Sequence, residues 1–172
     1  ADKLEEWIDA ARGAGHEVLL DLPMEPKDFP RSDPGPFGLL TSLQPEQNLR
    51  RLEWVLSRIT GYVGVTNYQG DRFSGNKTAM KPILAELKRR GLMFVDSMEN
   101  ALSAGPTLAS AIKLPFARIS RIIDRVASRA AISKQLAEIA KIAKIQGDAV
   151  LMARPYPVTI RVLKRWISKL GD

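Results

Sequence analysis

The sequence predicts an α/β fold in which short buried strands alternate with amphipathic helices. Short apolar runs bounded by glycine and polar residues recur along the chain, and apolar residues at helical spacing lie between them. The chain has 172 residues, 45% of them hydrophobic, which is an ordinary size and composition for one domain. Strands that are apolar on both faces and alternate with helices are typical of parallel βαβ units.

The individual elements follow from the same patterns. Helices are predicted where apolar residues recur every three or four positions and glycine or proline marks an end: 2–13, 45–61, 80–91, 106–113, 132–147 and 160–170. The last helix is defined by Ile160, Leu163, Ile167 and Leu170. Strands are predicted at the short apolar runs: 17–20, 62–66, 92–95, 116–123 and 149–152.

Residues 22–44 carry too many prolines for a helix or a central strand. We expect an ordered loop, because Phe29, Phe37, Leu39 and Leu40 give this segment apolar side chains to bury.

Composition excludes several kinds of site. Cysteine is absent, which excludes disulfides, thiol catalysis and zinc–thiolate centres. The net charge of +7 is spread along the chain among acidic residues, so a solvated basic surface is the simpler interpretation. No apolar run approaches the ~20 residues of a membrane span. No signal peptide is visible, although the chain opens inside a helix and without Met, as a chain that has lost a leader would.

In parallel α/β folds, ligands bind at the carboxyl ends of the strands. That rule points to four segments that we expect to share one rim: Asp21 to Glu25, Asn67 to Arg72, Asp96 to Met98, and Arg154 to Tyr156.

Asp21 and Glu25 are predicted to follow the first strand, four residues apart. Two carboxylates in this position can bind a hard cation or act as acid and base. The alternative is that Asp21 caps a turn and Glu25 is a solvated loop residue.

Asn67, Asp71 and Arg72 can bind a carboxylate or a sugar hydroxyl, or they can simply form a turn. Asp96 ends a strand and either orients a neighbour or caps the next helix. The single histidine, His16, precedes a strand, at the wrong end for a rim site, and is expected to be structural or exposed.

Four arginines would form a basic stripe if their segment were helical: Arg118, Arg121, Arg125 and Arg129. However, Pro115 and the interleaved isoleucines fit a strand at least as well, and neither a glycine-rich phosphate loop nor stacking aromatic residues accompany the arginines. Nucleic acid is therefore not the expected partner.

Several of these segments resemble the signatures of the divergent polysaccharide deacetylase family. Residues 15–26 (GHEVLLDLPMEP) are similar to its second signature, and residues 61–73 (GYVGVTNYQGDRF) are similar to its third. Residues 90–97 and 147–157 continue the resemblance in order, and residues 33–43 resemble a subgroup of the family. The resemblance covers nearly the whole chain.

The resemblance implies a distorted (β/α) barrel with parallel strands, deacetylation of a polysaccharide or other glycan ligand, and a periplasmic or secreted location. In better-studied relatives, an Asp and two His hold a divalent, zinc-like metal that activates water. Residues 1–172 would form one such domain, incomplete at both ends. The strand with the first-signature aspartates would precede residue 1, and the closing strand would follow Asp172.

The sequence departs from the family pattern at three ligand positions. Typical members have His where Asp21 stands, often His where Tyr68 stands, and a further His where Arg154 stands. Asp21 with Glu25 would make a hard oxygen site, tyrosine with its pKa near 10 is a poor ligand, and the charge of Arg154 would repel a cation.

We therefore hypothesise that the zinc-type mechanism is lost. No cofactor is assigned from the residues, and a zinc-like divalent metal is implied only by the resemblance. Two alternatives remain for the rim. One is a hydrolase with Asp21, Glu25 and Asp96 as catalytic groups, and the other is a non-catalytic carbohydrate- or envelope-binding domain. In both, the residues expected to bind the glycan are Asn67, Tyr68, Arg72 and Arg154.

Overall fold

The computed structural model describes residues 2–98 and 100–170. The helices are α1 (Asp2–Gly13), α2 (Pro45–Leu56), α3 (Asp71–Gly75), α4 (Lys77–Arg89), α5 (Gly105–Ile112), α6 (Arg129–Gln146) and α7 (Pro157–Ile167). The strands are β1 (Leu19–Met24), β2 (Gly64–Gln69), β3 (Met93–Asp96), β4 (Phe116–Ile122) and β5 (Val150–Met152). In these described ranges, no helix combines the length and the apolarity that crossing a bilayer requires.

The five strands pair in the order β1-β2-β3-β4-β5, and every pairing is parallel. Each strand is followed by at least one helix before the next strand begins. The predicted α/β class with parallel strands is confirmed.

The chain divides into two compact units, the first ending at Arg118 and the second beginning at Ile119. In the first unit, the helix-facing residues of the sheet, such as Leu22, Val65 and Phe94, pack with the apolar stripes of α2 and α4. In the second unit, a separate cluster buries Ile123 and the inner face of α6.

The first two strands extend further than predicted. β1 runs to Met24 and β2 runs to Gln69, so Asp21 and Asn67 lie within strands rather than after them. The apolar run predicted only the beginning of each strand, because pairing continues into polar residues. Asp21 faces away from the helices, whereas Asn67 is buried on the same face as Val65. Pro23 is accommodated because β1 is the first strand in the pairing order, where a missing N–H costs little.

The proline-rich segment is ordered, as predicted. Leu39 is fully buried, its N–H donates to the Pro23 carbonyl, and its own carbonyl accepts from the Glu25 N–H. The Phe37 ring stacks on Trp54 with 3.4 Å between centroids.

The strand predicted over residues 116–123 is confirmed as β4. Arg118 and Arg121 lie in it and only Arg129 begins a helix, so the arginines do not form a helical stripe. The apolar stripe predicted for the last helix is wrong. In α7, Ile160 and Ile167 are exposed, whereas Thr159 and Val162 are the buried residues. The buried face of α7 differs from the predicted one because Thr159 donates a hydrogen bond to a buried carboxylate, Asp124.

Candidate functional site

Glu25 stands directly after β1 and ties two neighbouring segments to the end of that strand. Its Oε2 accepts hydrogen bonds from the Thr41 N–H at 2.5 Å and the Thr41 hydroxyl at 2.7 Å. Its Oε1 accepts from Arg72 Nη1 at 3.1 Å, and Arg72 Nη2 also donates to the Lys27 carbonyl. We call Glu25, Thr41 and Arg72 the Glu25 clamp. Glu25 is only 3% exposed, so the expectation of a solvated loop residue is wrong.

The charge of Glu25 is set by two opposing effects. Burial disfavours the ionised form, but the hydrogen bonds from Thr41 and Arg72 outweigh burial and lower the pKa of the carboxyl below its usual 4.5. Glu25 is therefore a carboxylate whose two oxygens are both engaged by the protein.

The ends of β2 and β3 are joined by Asn67. Its Oδ1 accepts from the Ser97 N–H at 2.8 Å, and its Nδ2 donates to the Gln69 carbonyl at 2.8 Å. Asn67 is buried, which removes the interpretation of a simple surface turn.

Asp96 is the last residue of β3, as predicted. Its Oδ1 accepts from the Met98 N–H, and its Oδ2 lies 3.9 Å from Arg118 Nε. It caps the loop that follows the strand, and Arg118, the nearby cation, donates through Nη2 to the Asn100 carbonyl at 2.8 Å. The alternative of capping the next helix is wrong, since α5 begins only at Gly105.

Asp21, Thr66 and Tyr68 share the face of the sheet that points away from the helices. Asp21 pairs in register with Thr66, and Tyr68 follows two residues later on the same face. Asp21 and Tyr68 are exposed, the latter by 51%. Partial burial of the Asp21 carboxyl raises its pKa above the usual 3.8. This face therefore offers one aromatic ring and one carboxyl that protonates more readily than usual.

A cavity of about 230 Å³ lies where α2 and α4 begin, and Thr41 of the Glu25 clamp lines it. Its polar lining consists of hydroxyl and amide side chains: Thr41, Ser42, Gln44, Asn48, Asn76 and Thr78. The other lining residues are leucine, proline and alanine, and none of the described residues around it is ionisable. We call it the neutral cavity. No sequence pattern predicts this cavity, because its walls come from two helix starts separated along the chain.

In the second unit, the backbone N–H of Arg154 donates to Asp124 Oδ2 at 2.6 Å. Asp124 is buried, and the same oxygen accepts from the Thr159 hydroxyl, so Asp124 fixes the loop between β5 and α7. The Arg154 side chain is exposed. Asp124 was missed by sequence analysis, although an aspartate two residues after a strand was a usable signal.

The residues described do not fit the zinc centre that the resemblance implied. Within residues 2–98 and 100–170, no three His, Cys, Asp or Glu side chains are grouped as metal ligands. Glu25 has both oxygens in hydrogen bonds, and His16 is exposed ahead of β1. Among the described residues paired between β1 and β2, Asp21 is the only carboxyl on its face.

The structure thus brings together three of the four predicted segments within the first unit. Arg72 contacts the residues after β1, and Asn67 contacts the residue after β3. The Asn100 side chain adds a further link by donating to the Asp71 carbonyl. Arg154 belongs to the second unit, and its place on a common rim stays a prediction.

Comparison with known proteins identifies relatives along the whole chain. The profile of a family described as divergent polysaccharide deacetylase matches residues 1–172. A protein described as uncharacterized protein ATU2773 from Agrobacterium tumefaciens C58 has a crystal structure that matches with a TM-score of 0.91 and 33% identity. The match covers 98% of this chain and 68% of that one.

Two curated relatives are more distant in sequence. The chain is 24% identical to uncharacterized protein YibQ of Escherichia coli over 96% of its own length and 51% of that protein. It is 22% identical to an uncharacterized protein of Haemophilus influenzae over 94% of its own length and 57% of that protein. The chain therefore spans little more than half the length of these curated relatives. The family match over all 172 residues confirms the resemblance found in the sequence, and the chain belongs to the divergent polysaccharide deacetylase family.

Proposed function

We propose that this chain binds glycans, including N-acetylated ones, at the strand ends of its first unit, without the metal-dependent chemistry of its better-studied relatives. The observation that carries the proposal is the neutral cavity, whose lining has the groups that hydrogen-bond to sugar hydroxyls. Its apolar remainder, including Pro45 and Pro82, suits the C–H face of a sugar ring. Its volume is below the ~300–1,000 Å³ of most ligand pockets, so it has room for one unit of a longer glycan.

The Glu25 clamp supports this proposal by holding the cavity wall in place. Both hydrogen bonds that Thr41 donates end on Glu25, so the position of this wall residue depends on a buried carboxylate. Glu25 and Asn67 would then position the site, while the lining hydroxyls touch the sugar.

Binding of N-acetylated chitooligosaccharides and peptidoglycan fragments to the full-length protein, followed by calorimetry, tests the proposal. Thr78→Val removes one lining hydroxyl from an exposed position near the start of α4. We expect it to weaken binding about fivefold, the usual loss for one hydrogen bond. Thr107→Val is the matched control, because Thr107 is exposed near the start of α5 and does not line the cavity. Equal affinity in both variants and the parent would contradict the proposal.

A second function, hydrolysis without a metal, is favoured by one specific observation. Burial raises the pKa of the Asp21 carboxyl, which lies on the same sheet face as the exposed Tyr68 ring, and a raised pKa favours general acid or base catalysis. Release of acetate from the same glycans in the presence of a chelator tests it. Asp21→Asn should then abolish release while leaving binding unchanged, and Asp9→Asn, on the exposed side of α1, should leave both unchanged. Binding without any acetate release would contradict hydrolysis and would support glycan binding as the function.

The proposal includes a periplasmic or secreted location, which rests on family membership alone. Fractionation of cells that produce the full-length protein tests it, and recovery with the cytosolic markers would contradict it.

A further inference from the structure

A second cavity, in the second unit, lies between α6 and α7 and is unlike the neutral cavity in its chemistry. Its volume is about 280 Å³. We propose that this α6–α7 cavity binds a small anionic ligand, in which a phosphate or carboxylate group is attached to an apolar ring or short chain. The proposal is independent of glycan binding, because it uses other residues in the other unit.

The charge of the lining determines the sign of the ligand. Arg129, Arg165 and Lys169 line the cavity, and no acidic residue is among its described lining residues. Within residues 2–98 and 100–170, the side chains of these three cations make no ion pair or hydrogen bond. Guanidinium groups bind phosphate and carboxylate through paired hydrogen bonds, so an anion is the complementary ligand.

The position of Arg129 is unfavourable for the helix that it begins. It is the first residue of α6, and the first turn of α6 contains no acidic residue. A cation at this end is repelled by the positive end of the helix dipole. Folding of α6 therefore does not account for Arg129, whereas a bound anion would be attracted by both the arginine and the helix end.

The apolar lining of the cavity indicates the chemistry of the part of the ligand that carries no charge. Leu136 and Val162 are buried, and the half-buried Trp166 adds an aromatic surface. Ser133 contributes a hydroxyl at the exposed side. A free inorganic ion would leave this apolar surface uncovered, so an anion with an apolar body is expected to bind more tightly.

Calorimetry on the full-length protein with phenyl phosphate, inorganic phosphate and phenol tests the chemistry. We expect phenyl phosphate to bind at least tenfold more tightly than either of the other two. Phosphatidylcholine vesicles with and without phosphatidic acid distinguish a lipid headgroup from a free organic phosphate. Binding of phenyl phosphate assigns a soluble ligand, and binding only to the phosphatidic acid vesicles assigns a lipid. No binding to either at millimolar concentration overturns the proposal.

Variants of the lining residues test whether the ligand binds in the α6–α7 cavity. The double variant R129Q/R165Q should weaken the observed binding at least tenfold. The matched control R161Q/K164Q removes two exposed charges from α7 outside the lining and should change it less than twofold. An equal loss in both would show general attraction to a basic protein and overturn the proposal. Ser133→Phe keeps every charge but fills the cavity and should also weaken binding, while unchanged affinity in this variant would place the ligand elsewhere.

Discussion

At the scale of single residues, the Glu25 carboxylate is buried and ionised, and its charge depends on three hydrogen bonds. The folded protein holds its pKa below 4.5, so ionised Glu25 contributes its full stability above that pH. The contribution is lost as the pH falls through the lower pKa of the folded state. Acid should therefore weaken the Glu25 clamp before it affects apolar packing.

Glu25→Gln tests this dependence. We expect the substitution to lower the free energy of unfolding near neutral pH by about 2 kcal/mol, because it replaces charge-assisted hydrogen bonds in a buried position. Urea unfolding from about pH 6 to about pH 3 should show a shallower loss of stability in the variant than in the parent. Glu17→Gln, at an exposed position, should reproduce the parent curve. Parallel curves for Glu25→Gln and the parent would contradict the account.

The sequence could predict that Glu25 lies in the site but not what it does there. Its partners are 16 and 47 residues away, at Thr41 and Arg72. No spacing rule connects residues so far apart. The role of Asp124 could not be predicted for the same reason, because its partners Arg154 and Thr159 are 30 and 35 residues away.

At the scale of secondary-structure elements, the turn from β2 into α3 depends on Gly70. Its φ is +91°, and a Cβ at this position would lie 2.6 Å from the Cβ of Met24 in β1. A side chain is therefore excluded both by conformation and by contact with the neighbouring strand.

Gly70→Ala should accordingly lower the free energy of unfolding by more than the cost of placing alanine at a positive φ. Gly91→Ala is the matched control, because Gly91 also has a positive φ of +71° but nothing within 4 Å of its would-be Cβ. We expect Gly91→Ala to cost about 1 kcal/mol and Gly70→Ala clearly more, by thermal or urea unfolding. Equal losses in the two variants would mean that the contact with Met24 is easily relieved.

Element types were largely predictable and starts were predicted to within three residues, whereas the short helix α3 and the carboxyl ends of β1 and β2 were not predicted. The period of α4 and the glycine that ends α6 gave those helices nearly their observed bounds. The strand ends were not predictable from the apolar runs, because Asp21 and Asn67 are polar and a polar residue commonly follows a buried strand. In the structure both residues remain in register with the neighbouring strand.

At the scale of the whole molecule, alternation of apolar runs with helical stripes was sufficient to predict a parallel α/β fold. It was not sufficient to predict the two compact units, or one cavity lined by neutral polar groups and another lined by cations. Both cavities arise from helix neighbours, and a single sequence carries no record of which helices meet. The departures from the family pattern expected at Asp21, Tyr68 and Arg154 stay predictions from the sequence.

The central claim is that the first unit recognises glycans without a metal. It is tested most directly by titrating the full-length protein with an N-acetylated chitooligosaccharide, once in a chelator and once with excess zinc. We predict the same affinity in both conditions, with no zinc retained after dialysis. Binding that requires zinc, with one ion held per chain and lost in Asp21→Ala, would contradict the claim.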